Sequence, residues 1–194
     1  RAGYEVRSYR YYAPASGGVD VAGMVADLAA AEPGTVVVLH ACCHNPTGYD
    51  LTGDDWERVA EVVAARGLVP FLDLAYQGFS EGIEADAAVV HRFASLGVPL
   101  LVASSFSKSF SLYGERVGGL SVVAADAEEA ARVRSQLKVT IRTTYSNPPT
   151  HGAAVVSAVL GDPGLRRQWE DELEGMRLRI RAMRSALVDA LAAR

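Results

Sequence analysis

Three short apolar runs, each closed by a turn, constrain the fold of this chain more than any other feature. They are "TVVVLHACC" (35–43), "LVPFLDLAY" (68–76) and "VPLLVASSF" (98–106). Runs of this length and composition are typical of strands that are buried on both faces of a parallel sheet. Because helical patterns separate them, the sequence predicts an α/β fold, with a mainly parallel sheet and helices on both faces.

The segments between these strands carry start and stop signals of helices. Thr52 opens a predicted helix that has carboxylates in its first turn and ends at Gly67. The other predicted elements are an extended segment at 4–12, a helix closed by Pro33-Gly34, a helix at 84–97 that ends at a glycine, a fourth strand at 117–125 and a helix at 126–142.

From Asp162 onward the chain shows one long helical pattern. Its apolar residues recur at intervals of three and four: Leu165, Trp169, Leu173, Met176, Ile180, Met183, Leu187 and Leu191. A helix of that length is longer than an ordinary globular helix. We therefore expect residues 162–194 to form an interdomain helix that leads to a second domain outside this sequence. The opening "RAGYEVRSYRYY" lacks an initiator Met and is typical of the middle of a protein.

Composition excludes several classes of function. The 194 residues can bury one sizeable core. A net charge of −4, without a basic tract, gives no indication of nucleic-acid or anionic-membrane binding. No run of 18 or more apolar residues predicts a transmembrane helix. The two cysteines are adjacent and make no disulfide framework, so a reducing cytoplasm fits best.

The stretch "HACCH" (40–44) is the only candidate for a metal site. It continues a predicted strand, in which neighbouring side chains would alternate between opposite faces. We therefore expect the thiols of Cys42 and Cys43 to pack in the core and predict no metal.

Polar residues follow the three strands at the edge where a parallel sheet binds its ligands. Taken singly, each has a structural explanation: Asn45 precedes a proline in a turn, Asp73 could cap a helix, and Tyr76 could face the core. Their convergence on one edge favours a shared site. The residues at this edge are His44, Asn45, Asp73, Tyr76, Ser105, Ser107, Lys108 and Arg116.

The chemistry that these residue types could share is that of pyridoxal phosphate. Lys108, at the mouth of a buried strand, could form a Schiff base with the cofactor aldehyde. Asp73 could pair with the pyridine nitrogen and make the ring an electron sink. Arg116 and serine hydroxyls suit a phosphate, while Asn45 and Tyr76 could donate to the phenolate oxygen. For an isolated lysine, the alternative is a strand-end side chain that extends its amine to water.

Four motifs in order, "HNPTG", "DLAYQGF", "SSFSKSFSLYGERVGGLSV" and "IRTTYSNPP", resemble the class I (fold type I) aminotransferases. The aspartate and aromatic-amino-acid (tyrosine) branch matches best, over nearly the whole chain. The resemblance implies that residues 1–161 are part of the large pyridoxal-phosphate-binding domain. It also implies that an N-terminal part and a small C-terminal domain lie outside this sequence, and that the fragment alone is inactive.

The resemblance also assigns roles to individual residues. It makes Lys108 the Schiff-base lysine and proton shuttle, places Asp73 on the pyridine nitrogen, and places Asn45 and Tyr76 on the phenolic oxygen. Arg142 matches the arginine that reaches across a homodimer to the side-chain carboxylate of a dicarboxylic substrate, and Asn45 also lies at the substrate. The residues that would surround the phosphate are Ser105, Ser107 and Arg116.

For the reaction, the resemblance implies transfer of an amino group from an aromatic amino acid, or aspartate, to 2-oxoglutarate. An aspartate-specific enzyme is one alternative, and an aminotransferase-like effector domain of a transcription regulator is another. A regulator would need a helix-turn-helix and a basic face, and neither is in the sequence. The stretch from Ser105 to Lys108 also fits the S-x-x-K motif of serine-acylating enzymes, but the companion motifs S-D-N and K-T-G are absent.

Overall fold

The computed structural model describes residues 3–193 and contains two sheets and six helices within that range. The strands are β1 (Tyr12–Ala13), β2 (Gly18–Val19), β3 (Val36–His40), β4 (Val69–Leu74), β5 (Leu100–Ser105) and β6 (Gly118–Val123). The helices are α1 (Val21–Ala29), α2 (Gly53–Arg66), α3 (Ile83–Ala94), α4 (Ala127–Thr144), α5 (His151–Gly161) and α6 (Pro163–Ala192). Residues 1, 2 and 194, which the predicted domain ranges include, lie outside the described part.

The main sheet has the strand order β3-β4-β5-β6. The first three strands are parallel, and β6 runs antiparallel to β5. In this register His40 lies opposite Asp73, and Asp73 lies opposite Ala103. The predicted α/β class with a mainly parallel sheet is confirmed, and the carboxyl ends of β3, β4 and β5 meet at one edge.

The core lies between the sheet and helices α1, α2 and α3. Burial alternates along β3, where Val37 and Leu39 are buried while Val36 and Val38 are exposed. The buried face packs against apolar side chains of the three helices, which include Met24, Leu28, Val59, Ala60, Val63, Val89 and Phe93. Burial of this apolar surface is the main stabilising contribution, and it fixes the sheet edge on which the polar residues lie.

Three predicted helix boundaries are confirmed in detail. Thr52 caps α2 through a capping box with Asp55, and Gly67 ends the helix in the left-handed conformation. Asp162 caps the 30-residue helix α6 by accepting hydrogen bonds from the N–H groups of Gly164 and Leu165. No helix within residues 3–193 is long and apolar enough to cross a membrane.

Other boundaries differ from the sequence-based expectation. Strand β3 ends at His40, because the chain turns there and Cys43 adopts a positive φ of 51°. Strand alternation therefore does not apply to the two cysteines, although Cys42 is buried as expected. In the predicted extended segment 4–12, only Tyr12 belongs to a strand. Helix α5 was not predicted; it begins at His151, after the proline pair that excludes helix before it.

Candidate active site

Three loops that follow β3, β4 and β5 form the candidate site. They carry Asn45, Tyr76 and Lys108, while Asp73 is still within β4 near its carboxyl end. Because these strands are parallel neighbours, their following loops emerge side by side. The topology thus brings together residues that are far apart in the sequence, as the strand-end pattern predicted.

Lys108 lies in a tight turn directly after β5. Its amine lies 4.6 Å from the centroid of the Tyr76 ring, a distance at which the ring face attracts a cation. The turn is anchored to β5, because the Ser107 N–H donates to Ser105 Oγ at 3.2 Å. It is also anchored to the chain before β6, because the Phe106 N–H donates to the Val117 carbonyl. The lysine is half-buried, and its neighbours Ser107 and Ser109 are buried.

Asp73 and Asn45 are connected through His40, a residue to which the sequence assigned no role. His40 is the cross-strand neighbour of Asp73, and its Nδ1 lies 3.2 Å from the Asn45 N–H. Because Nδ1 accepts this bond, the proton of the neutral imidazole is assigned to Nε2. Only the strand register identifies this position of His40 beside Asp73, since in the sequence His40 was considered only as part of the rejected metal-site candidate "HACCH".

Asp50 holds the backbone of the loop that carries Asn45. Its carboxylate accepts hydrogen bonds from the N–H groups of Cys43 at 2.8 Å and His44 at 2.7 Å. The His44 ring stacks on Tyr11 with a centroid distance of 3.8 Å, and its Nδ1 lies 2.8 Å from Thr47 Oγ1. Burial, followed by the nearby His40, lowers the pKa of His44 from its ordinary value of 6.5. The Asn45-Pro46 peptide in this loop is cis.

Asp86 holds the loop after β4. This buried carboxylate, in the first turn of α3, accepts hydrogen bonds from the N–H groups of Gly78, Ser80 and Glu81 at 2.8 to 3.1 Å. Three such bonds satisfy a buried charge that would otherwise be costly. This role could not be predicted from the sequence, because Asp86 has the pattern of an ordinary acidic residue at a helix start.

The two predicted arginines make their hydrogen bonds outside the lysine turn. Arg116 is exposed, has a positive φ of 54°, and donates to the Tyr113 carbonyl at 3.0 Å. Arg142 is exposed in the last turn of α4 and donates to Ser146 Oγ. Within residues 3–193, no hydrogen bond or ion pair joins either guanidinium to the other predicted site residues. Both remain available to a ligand or a partner.

The donor set suits an anionic, aldehyde-bearing aromatic cofactor. An amine, a carboxylate and a phenol lie at one edge, serine hydroxyls stand on either side of the lysine in the chain, and the guanidinium of Arg116 follows. Lys108 is the only nucleophilic amine at this edge, because the other lysine, Lys138, lies on α4 and is exposed. Among residues 3–193, no group of three His, Cys, Asp or Glu side chains could hold a metal ion.

Comparison with known proteins agrees with this donor set. The family model for aminotransferase class I and II matches residues 1–194, and the chain belongs to that family. It is 62% identical over 192 residues to the aspartate aminotransferase of Pseudomonas aeruginosa. It is also 55% identical over 190 residues to the aromatic-amino-acid aminotransferase of Escherichia coli. These alignments cover 99% and 98% of this chain and 48% of each relative.

Solved structures give the same family and confirm the fold class. The aromatic-amino-acid aminotransferase of Burkholderia pseudomallei, covalently bound to pyridoxal phosphate, superposes with a TM-score of 0.97 at 62% identity. The match covers 99% of this chain and 48% of that structure. This chain therefore spans about half the length of the relatives it matches.

Proposed function

We propose that this chain is the cofactor-binding part of a pyridoxal-phosphate-dependent aminotransferase. The observation that carries the proposal is the position of Lys108, whose amine lies against the Tyr76 ring at the sheet edge that also holds Asp73. Membership of the aminotransferase family supports it, as does the covalently bound pyridoxal phosphate of the Burkholderia pseudomallei relative.

In this proposal each residue has a distinct task. When bound, pyridoxal phosphate supplies an electron sink for the bond-breaking step. Lys108 Nζ holds the cofactor and then moves the proton at the substrate α-carbon. Asp73 places its carboxylate at the pyridine nitrogen, while the Asn45 amide and the Tyr76 hydroxyl donate to the phenolic oxygen. The groups proposed for the phosphate are Ser105, Ser107 and Arg116.

The proposed reaction moves an amino group from an aromatic amino acid, and also from aspartate, to 2-oxoglutarate. The stretch "SFSLYGERVGGLSV" supports an aromatic donor, because it is more similar to the tyrosine and aromatic transaminases. A second candidate is an aspartate-specific enzyme, which the 62% identity to the Pseudomonas aeruginosa aspartate aminotransferase favours. In both cases the proposed location is the cytoplasm, where the two free cysteines stay reduced.

The proposed subunit is longer than this chain, and two such subunits form the proposed dimer. We assign residues 1–161 to the large domain and 162–194 to a helix that leads to a small domain. The 48% coverage of the relatives supports a subunit about twice as long, and this chain alone is then inactive. Two subunits form a homodimer with shared sites, in which the exposed Arg142 serves the neighbouring site.

Reductive trapping tests the proposed cofactor attachment. The complete protein is expected to be yellow, and borohydride is expected to fix pyridoxal phosphate on the peptide that contains Lys108. Lys108→Ala should abolish turnover while it leaves noncovalent cofactor binding possible. Lys138 is a built-in control, because it is the only other lysine of the chain. Label found on Lys138 and absent from Lys108 would end the assignment.

A substrate panel separates the two candidate reactions. Phenylalanine, tyrosine and aspartate are offered in turn with 2-oxoglutarate, and kcat/KM is measured for each. Activity with all three supports the aromatic proposal. Activity with aspartate and none with phenylalanine or tyrosine would establish the aspartate-specific alternative.

A further inference from the structure

Three residues of α6 contact the loops that carry the candidate site, and we call Trp169, Leu173 and Arg181 the α6 contact row. Trp169 Nε1–H donates to the Ser109 carbonyl at 2.7 Å. Leu173 is 1% exposed and packs on Gly78. Residues spaced by four share one face of a helix, so the first two contacts follow from a single helix orientation.

Trp169 contacts the turn that contains Lys108. Its indole donates to the carbonyl of Ser109, the residue directly after the lysine. The same indole stacks on the Phe110 ring, with a centroid distance of 4.6 Å and an interplanar angle of 23°. Trp169 thus holds this turn both by a hydrogen bond and by an aromatic face.

The turn has few bonds of its own. The Phe110 N–H donates to the Phe106 carbonyl at 3.2 Å, and the Ser111 N–H donates to the Lys108 carbonyl at 3.1 Å. The residues on either side of the lysine, Ser107 and Ser109, are buried. The lysine side chain extends from this buried backbone to the Tyr76 ring. The bond from Trp169 is a long-range restraint, from 60 residues further along the chain.

Leu173 restrains the loop on the other side of the site. Gly78 has a φ of 93°, and a β-carbon there would lie 2.4 Å from a Leu173 methyl group. Gly78 follows closely after Tyr76, whose ring receives the lysine amine. One turn of α6 therefore fixes the Lys108 turn and the Tyr76 loop relative to each other.

We propose that Trp169 is a positioning residue for Lys108, holding the Ser109–Phe110 backbone so that the lysine amine stays over the Tyr76 ring. This inference rests on the proposed function, since it concerns the residue that would hold the cofactor. Trp169 itself touches neither Lys108 Nζ nor Asp73 in the contacts described, so it acts through the turn. Removing its N–H loosens the lysine without removing any reacting group.

Trp169→Phe in the complete protein tests the proposal, because phenylalanine keeps an aromatic ring and lacks the N–H donor. In the cofactor-free protein, amide hydrogen exchange at Phe110 and Ser111 should rise by about fivefold or more. The rate of reductive methylation at the half-buried Lys108, followed by mass spectrometry at one fixed pH, should rise toward that of the exposed Lys138. In the loaded enzyme kcat should fall about five- to tenfold, with KM within about twofold.

Trp56→Phe is the matched control, because Trp56 is the only other tryptophan of this chain and its ring packs edge-on against Phe93 of the core. It should leave the amide exchange at Phe110 and Ser111 and the methylation rate of Lys108 unchanged. A benzothiophene analogue of tryptophan, introduced site-specifically at position 169, removes only the N–H and keeps the shape. It should reproduce Trp169→Phe even where phenylalanine packs poorly.

The outcomes separate the two proposals. If both position-169 changes leave the amide exchange and the methylation rate of Lys108 as in the unaltered protein, the positioning role is wrong. Those two measurements need no cofactor. Borohydride trapping on Lys108 of the unaltered protein reports the proposed function separately, so a failure there is distinct from a failure of the Trp169 proposal.

Discussion

Asp73, the residue proposed to pair with the pyridine nitrogen, lies inside the sheet. It lies within β4 between His40 of β3 and Ala103 of β5, so pairing with both neighbouring strands fixes the backbone that carries its carboxylate. A rigidly held carboxylate costs no reorganisation when charge develops in the reaction. This rigidity is what a partner for a pyridine nitrogen requires.

Asp73→Asn should lower kcat by about a hundredfold or more while cofactor affinity falls less, because the charge that keeps the pyridine nitrogen protonated is lost. Steady-state kinetics and cofactor titration of the complete protein measure the two effects. Asp189→Asn, an exposed change on α6, should alter neither. An unchanged kcat in Asp73→Asn would show that Asp73 is only structural.

His44 should make the protein less stable in acid. Its pKa is lowered in the folded state, so the unfolded chain takes up the proton first as the pH falls through 6.5. The free energy of unfolding therefore decreases below that pH, until the folded form is protonated as well. His44→Gln should flatten this part of the profile between about pH 8 and about pH 5. Urea unfolding at each pH measures the free energy of unfolding, and His151→Gln, an exposed change, is the control. If the free energy of unfolding changes with pH equally in both variants, the prediction is wrong.

The residues at the carboxyl ends of the parallel strands could be located from the sequence. Strand ends are visible as breaks in apolar runs, and parallel topology brings them together. Asp50 and Asp86 escaped prediction because their partners are backbone N–H groups, which carry no sequence signal. The roles of the predicted residues, including both arginines, remain predictions.

Among the elements, the loop after β4 depends on α3. Asp86, in the first turn of α3, accepts three backbone N–H groups of that loop. An asparagine would present one oxygen and one N–H₂ group to the same donors, so at least one donor would lose its acceptor.

Asp86→Asn should lower the free energy of unfolding by about 2 kcal/mol, with most of the effect in the loop. Chemical denaturation gives the first quantity, and hydrogen exchange at residues 78–81 gives the second. Asp54→Asn, exposed in the first turn of α2, should change stability by less than about 0.5 kcal/mol. Equal losses in the two variants would show that the three hydrogen bonds are not what matters.

Helix boundaries were predicted correctly where a capping residue in the local sequence marks them. Thr52, Gly67 and Asp162 act as expected, and α6 begins where its apolar pattern begins. The direction of β6 was not predictable, because antiparallel pairing depends on how the turn after Lys108 reverses the chain. Helix α5 escaped prediction because "HGAAVVSAVLG" has little apolar periodicity.

At the scale of the whole molecule, the proposed dimer makes a prediction about mixed subunits. Lys108→Ala removes the lysine from a subunit's own site, whereas Arg142→Ala removes the arginine that the subunit lends to its neighbour. A heterodimer of the two variants therefore has one intact site. Mixed and refolded subunits should recover up to about half of the unaltered activity per heterodimer on a dicarboxylic donor.

Each variant refolded alone is the control for that experiment, and Arg142→Ala alone should weaken dicarboxylic donors more than aromatic ones. Aromatic rings need no cationic partner, so their KM should change less. A mixture with no more dicarboxylate activity than the separate variants would contradict the shared site.

The contacts of α6 also determine how this helix can move. At 3.6 residues per turn, each step of four advances about 40° beyond a full turn, so the path from Trp169 to Arg181 winds about 120° around the axis over about 18 Å. Arg181 ends this path on the Ser80 carbonyl and Glu81. Because the three contacts face different directions around the axis, rotation of the helix or sliding along its axis would break at least one of them. Helix α6 therefore holds the loops around it in fixed positions. A single residue inserted between Trp169 and Arg181 would rotate one of these side chains by about 100° away from the loop it contacts.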